Sequence, residues 1–297
     1  MTGVDVAPGD EKVVHHVILF KVPPGEVAAA RSFDRQTEGQ GWTCFGGSGL
    51  EGAGFGLDSA PWLGAWAPGG GERVLADDIG MPLEAGSHIV MQVHYNLLAG
   101  VEPDLSSARL RLAPGDKDLE SLETMLLPAP VELPCRAGTN QPLCDREASI
   151  LDVMSRFGVR SGQTVAGLQI LCGEGQGPRP GDTQTCTRTV NESSTVRALA
   201  GHMHLLGRSI KIELNPEGPG ARTLLDIPVW DFDDQGTHPL DEPARIEPGD
   251  ELRVTCTHDQ ALRDLLPAFE GQPDRYVVWG EGTTDEMCLG IVLLTRP

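Results

Sequence analysis

Aromatic residues are scarce in this chain: five Trp, two Tyr and seven Phe among 297 residues. Long helical patterns are scarce too, while 37 Gly and 23 Pro punctuate the sequence. Turn formers at this density interrupt helices and favour many short strands, so the chain reads as all-β. Basic residues are outnumbered, 23 Lys and Arg against 43 Asp and Glu, for a formal charge of −20. Nucleic acids and anionic membrane surfaces both need a basic footprint. Neither is expected as a partner, and the charge reads as a solvated acidic surface. No apolar run approaches the ~20 residues of a spanning helix, so no membrane insertion is expected. The seven cysteines contain no CxxC pair, which removes the common zinc and dithiol redox patterns. They read as structural disulfides, hence a secreted, periplasmic or cell-surface setting. Residues 1–6 lack the charged start and apolar core of a signal peptide, and the cysteine count is odd. Both fit a chain trimmed at its start; a free Cys44 is the plain alternative.

Two short stretches carry the chemistry. The first is Gly201-His202-Met203-His204-Leu205-Leu206-Gly207, and the second is Asp285-Glu286-Met287-Cys288. The first reads as a strand, on which residues two apart share a face. His202 and His204 then present two imidazoles to one point, with Met203 facing away. Two imidazoles with a soft thioether suit copper, Cu(I) above all, better than zinc or a hard cation. Alone, an H-x-H pair is weak, because chance pairs are common.

Along the chain, residues 13–20 form an apolar β-rich run that contains His15 and His16. Adjacent residues of a regular strand face opposite ways, so joint ligation needs a twist or bulge; hydrogen-bonded histidines are the plainer reading. Residues 26–36 suit a short helix after the Pro23-Pro24 break. Trp42, Trp62 and Trp66 read as core or loop-base residues. Residues 86–96 alternate, placing His88, Val90, Gln92 and His94 on one face, with His94 a third imidazole for the His15/His16 pair. A polar stretch at 113–123 marks the domain division, taken as 1–118 and 119–297. Further on, residues 146–157 have helical spacing with Gly158 as a stop, and residues 165–171 read as a strand. Cys135 and Cys144 flank one short loop, Cys172 and Cys186 another, and either pair could close its loop. His238 and His258 read as solvent-facing.

The ordered set His15-His16, Gln92-Val93-His94, His202-x-His204-x-x-Gly207 and Asp285-Glu286-Met287-Cys288 resembles the copper type II, ascorbate-dependent monooxygenases. That family includes peptidylglycine α-hydroxylating and dopamine β-monooxygenases. The resemblance implies two tandem jelly-roll-type β-sandwich domains with a short helical insertion, each domain carrying one of two copper ions beside a solvent-filled cleft. It implies that His15, His16 and His94 hold an electron-transfer copper, with Gln92 a candidate to orient an imidazole. It implies that His202, His204 and Met287 hold the copper where dioxygen is used. The reaction implied puts one oxygen atom into a C–H bond of a small molecule, with two electrons from ascorbate or a similar donor. A disulfide between Cys256 and Cys288 is implied as well, which leaves Cys44. Residues 134–158 look like an insertion relative to animal members, one that either shapes the cleft or decorates the surface, the second being the plainer reading.

The sequence also departs from the peptide-amidating branch. Ala200 stands where a basic residue grips a substrate carboxylate there, and Leu289 and Ile291 replace polar and tyrosine positions. A glycine-extended peptide would lose its charge partner, so a neutral or apolar substrate is expected. Two other readings stand beside this one: a non-catalytic copper-binding protein in copper handling, and a structural β-sandwich with incidental histidines.

Overall fold

The computed structural model describes residues 1–50, 60–96, 100–173, 175–218 and 220–296. Two compact units divide the chain. The first is Met1–Met125 with Asp233–Gly236 and Leu293–Pro297; the second is Leu126–Phe232 with Thr237–Val292.

The first unit holds β1 (Gly3–Ala7), β2 (Val14–Val22), α1 (Val27–Asp34), β3 (Trp62–Trp66), β4 (Arg73–Val74), β5 (Ile79–Gly80), β6 (His88–Tyr95), β7 (Ser107–Arg111) and the start of β8 (Glu120–Pro128). Two antiparallel sheets form, in the orders β4-β1-β7 and β3-β2-β6. They meet face to face: a Cβ built on Gly64 of β3 would lie 2.8 Å from Val4 Cγ1 of β1. Only glycine admits that approach. Val4, Val6, Val17 and Leu19 are buried between them, the apolar half of each alternating pattern. The expected short helix is present as α1, entered through a single turn of 3-10 helix at Pro24–Glu26. It packs Ala30 against Val22 and Leu50, beside Trp42, whose indole Nε1 donates to the Ser48 carbonyl at 2.8 Å.

The second unit continues β8 and adds β9 (Glu132–Leu133), α2 (Arg146–Phe157), α3 (Val159–Cys172), β10 (Thr183–Thr189), β11 (Ser194–His202), β12 (Gly207–Leu214), β13 (Arg222–Ile227), β14 (His238–Ile246), β15 (Glu251–His258), β16 (Val277–Val278) and the start of β17 (Leu289–Thr295). One sheet runs β10-β15-β12-β13, and the facing one contains β14-β11-β17-β8. Glycines again mark the contact. A Cβ on Gly201 of β11 would lie 2.8 Å from Ile210 Cγ2, and one on Gly290 of β17 would lie 2.9 Å from Ile212 Cδ1, both on β12. The fold is an all-β sandwich with a helical pair.

One sequence expectation fails here. Residues 165–171 are not a strand but the second half of α3. Their apolar run hid a helical period: the buried residues of α3 are Ser161, Val165 and Leu168, spaced at four and three as one helix face requires. The strand reading began too late to include Ser161. Gly158, at φ +88°, ends α2 and caps α3, a backbone conformation that favours glycine. Gly162 then lets the helices close, since a Cβ there would lie 2.5 Å from Met154 Sδ.

Candidate metal centres

The first cluster lies on β2 and β6. Val14 pairs with Tyr95 and His16 pairs with His94, so β2 advances two residues while β6 advances one. His15 is the extra residue of a β-bulge, which breaks the alternation and re-aims its side chain. As a result both neighbouring histidines face His94. His15 Nδ1 lies 3.1 Å from His16 Nδ1 and 3.3 Å from His94 Nδ1. Nitrogens bound to one ion at ~2.0 Å stand roughly 3 to 3.5 Å apart, so these spacings fit a shared metal. One ligand atom from each ring lies within 4.8 Å of the others. His15 is buried and the other two are partly exposed, which leaves the cluster open on one side. Gln92 is buried two residues before His94. Its Nε2 donates to the Gly47 carbonyl at 2.9 Å and to Cys44 Sγ at 3.3 Å, tying β6 to that loop. Burial pushes the Cys44 thiol up, with the Gln92 hydrogen bond opposing. His88 stays exposed, 3.1 Å from the Arg31 guanidinium.

The second cluster sits where β11 ends. His202 is the last residue of that strand, and His204 lies just beyond it, in the turn into β12. The expected strand over 201–207 is therefore broken by a turn between His202 and Gly207, yet the rings still converge, 5.1 Å apart between centroids and 85° between planes. Met203 points into the core and is fully buried. The turn needs Gly207: a Cβ there would lie 2.8 Å from Trp230 Cδ1 and 3.0 Å from Met203 Cε.

Met287 reaches this turn through its neighbour. Glu286 is fully buried. Its Oε2 accepts from the His204 backbone N–H at 2.9 Å and from that of Met287 at 3.2 Å, and its Oε1 accepts from Leu206 N–H at 2.5 Å. One carboxylate thus satisfies three buried donors, any of which would cost ~1–3 kcal/mol unpaired. On the other side, Cys288 is bonded to Cys256 of β15. The two loop-closing pairs, Cys135–Cys144 and Cys172–Cys186, are also formed, and Cys44 is free. His258 corrects its sequence reading. It is 1% exposed, with Nε2 3.3 Å from the Met287 carbonyl oxygen and 3.4 Å from Glu286 Oε2. The polar residues around it suggested solvent, but inward alternation along β15 decided otherwise. His238 is exposed, as read.

Asp285 is held from the helical insertion. Arg156 of α2 grips it with two bonds, Nη1–Oδ2 at 2.8 Å and Nη2–Oδ1 at 2.6 Å. Arg275 stands 3.5 Å from Oδ1, and Asp152 binds both Arg156 and Arg275. Burial works against the Arg156 charge, but Asp285 and Asp152 outweigh it and raise its pKa. A second buried carboxylate, Glu132, ties α2 and α3 to the sandwich. It accepts from Arg146 at 2.5 and 2.6 Å, from Gln169 at 2.7 Å and from the Tyr276 hydroxyl at 2.8 Å. Residues 134–158 are therefore anchored structure, not decoration. The acids flanking Met287 were visible in sequence; nothing local told which basic groups and amides they would meet. Ala200 and Leu289 are buried and Ile291 is partly buried.

Residues 182–294 match the family model described as the C-terminal domain of copper type II ascorbate-dependent monooxygenases. This stretch contains His202, His204, Cys256, Met287 and Cys288. A human protein described as DBH-like monooxygenase protein 2 is 32% identical over 88 residues, which is 30% of this chain and 16% of that protein. The match thus spans about a sixth of the relative's length. Dimeric latent PorU from Porphyromonas gingivalis aligns over all of this chain and 24% of its own, at a TM-score of 0.21 and 9% identity, which carries no argument. Residues 182–294 are thus similar to the C-terminal domain of the copper type II, ascorbate-dependent monooxygenases, and the family is supported through that stretch.

Proposed function

We propose that this chain is a two-copper monooxygenase that hydroxylates a C–H bond of a small neutral or apolar molecule. The carrying observation is that Glu286 joins the H-x-H turn to Met287 inside the family-matched stretch. The three-imidazole cluster of the first unit adds a second candidate centre. The overall balance is R–H + O₂ + 2 e⁻ + 2 H⁺ → R–OH + H₂O, with the electrons taken singly from ascorbate or a similar donor. Copper, when bound, supplies the one-electron redox chemistry between reductant and dioxygen. His15, His16 and His94 would hold one ion with imidazole alone. His202, His204 and Met287 would hold the other, where the thioether favours the reduced metal. Gln92 keeps β6 registered on its loop and so steadies His94.

Ala200, Leu289 and Ile291 bring no cation to the second centre, which favours a substrate without a carboxylate to grip. Three disulfides suit an oxidising compartment, and we place the protein outside the cytosol, secreted or at the cell surface. No helix among the described residues is long and apolar enough to cross a membrane. The test is oxygen consumption with ascorbate at two coppers per chain, wild type against Met287→Ile. Uptake in the wild type that disappears in the variant is the expected result. Two coppers bound without uptake in either protein would assign the chain to copper handling, and failure to retain copper would leave a structural sandwich.

A further inference from the structure

We infer that Glu286 is the positioning residue of the sulfur-bearing centre, fixing Met287 against the His202–His204 turn, with His258 as its backing. The inference rests on the two-copper reading above. His204 and Glu286 are 82 residues apart in sequence, and the carboxylate of Glu286 bonds backbone on both sides of that gap. It accepts from His204 at 2.9 Å and Leu206 at 2.5 Å on the histidine side, and from Met287 at 3.2 Å on its own. The Cys256–Cys288 disulfide ties the Met287 segment to β15. Glu286 bonds the histidine turn itself, and it is fully buried, so water does not compete for its oxygens.

His258 closes the remaining side. Its Nε2 faces two acceptors, the Met287 carbonyl at 3.3 Å and Glu286 Oε2 at 3.4 Å. Its Nδ1 is buried without a hydrogen-bond partner among the described residues. A proton on Nε2 meets both acceptors, so that His258 holds the carbonyl of Met287 while Glu286 holds its N–H. Partners behind a ligand of this kind set its orientation, and their loss typically weakens metal binding ~10–100-fold.

Glu286→Gln is the discriminating variant. It keeps the shape but turns one of the two acceptor oxygens into a donor. In either amide orientation, an –NH₂ then faces a backbone N–H of Leu206, or those of His204 and Met287. The probe is Cu(I) alone, loaded at two per chain, read by copper X-ray absorption for the copper–sulfur component and by chelator competition for affinity. Wild type should show one sulfur-ligated copper of two. Glu286→Gln should lose the copper–sulfur component and bind one of its two coppers ~10–100-fold more weakly, leaving the other unchanged. A core truncation away from the turn, Leu225→Ala, should keep the copper–sulfur component despite its lower stability, which separates positioning from a general loss of fold. If Glu286→Gln does not fold, His258→Phe takes its place and should reduce the same component. An unchanged copper–sulfur signal and unchanged affinities in the folded variant would overturn the inference. A wild type without copper–sulfur scattering would instead sink the two-copper reading, and the inference with it.

Discussion

His15 and His16 on a regular strand would face opposite sides of the sheet, and one inserted residue changes that. At the same scale, Glu281 gives a pH signature. It is partly buried, and burial pushes its carboxyl from 4.5 up to about 7, with the Asp285 charge adding and a hydrogen bond with Trp279 opposing. A raised folded-state pKa means the native protein holds a proton that the unfolded chain has released. Stability from this group therefore falls as pH rises from about 4.5 to about 7 and is level above that. Glu281→Gln should flatten the decline in Tm over that window, read by thermal melts of the metal-free protein. An identical decline in the variant would place the titrating group elsewhere.

Among elements, α2 has the most to show. Its N-terminus is capped by Asp145, whose side chain accepts from Ala148 N–H at 2.9 Å, and its last turn delivers Arg156 to Asp285. Asp285 is 1% exposed, so losing Arg156 leaves a buried charge with only Arg275 nearby. Arg156→Met should cost ~3 kcal/mol, toward the lower end for a broken buried pair. Adding Asp285→Asn should recover part of it, because no full charge is then left unmatched. Urea denaturation of the two single variants and the double variant reads this coupling directly. Additive losses would show that the pair stabilises nothing beyond its separate members.

At the scale of the whole molecule, the three disulfides differ in what they close. They span 9, 14 and 32 residues. The unfolded chain loses more freedom to a longer loop, so Cys256–Cys288 should contribute most, about 4 kcal/mol by loop closure alone. Replacing both cysteines with serine should lower the denaturation midpoint further than opening either short loop. The Met287 segment should also loosen, since Cys288 follows Met287. An effect no larger than that of Cys135–Cys144 would mean that the 256–288 connection is already held by its hydrogen bonds.

Much of this protein follows from nearest neighbours along the chain. Strand alternation over β2 and β6, the α2 helix with its Gly158 stop, and the closures at Cys135–Cys144 and Cys172–Cys186 are local patterns, and residues a few positions apart fix them. Distance along the chain is what the sequence could not resolve. The bulge at His15 belongs to the register in which β2 and β6 pair, and strands far apart in the chain set that register. His258 is inside because β15 turns that face inward, and α3 packs closely on α2 because Gly162 leaves room for Met154. Glu286 is a buried clamp only because two segments 82 residues apart meet there. The sequence by itself determined which candidate ligand types are available and their order. The tertiary structure decided which nitrogens converge and which carboxylate holds the thioether segment, because convergence depends on packing between distant strands.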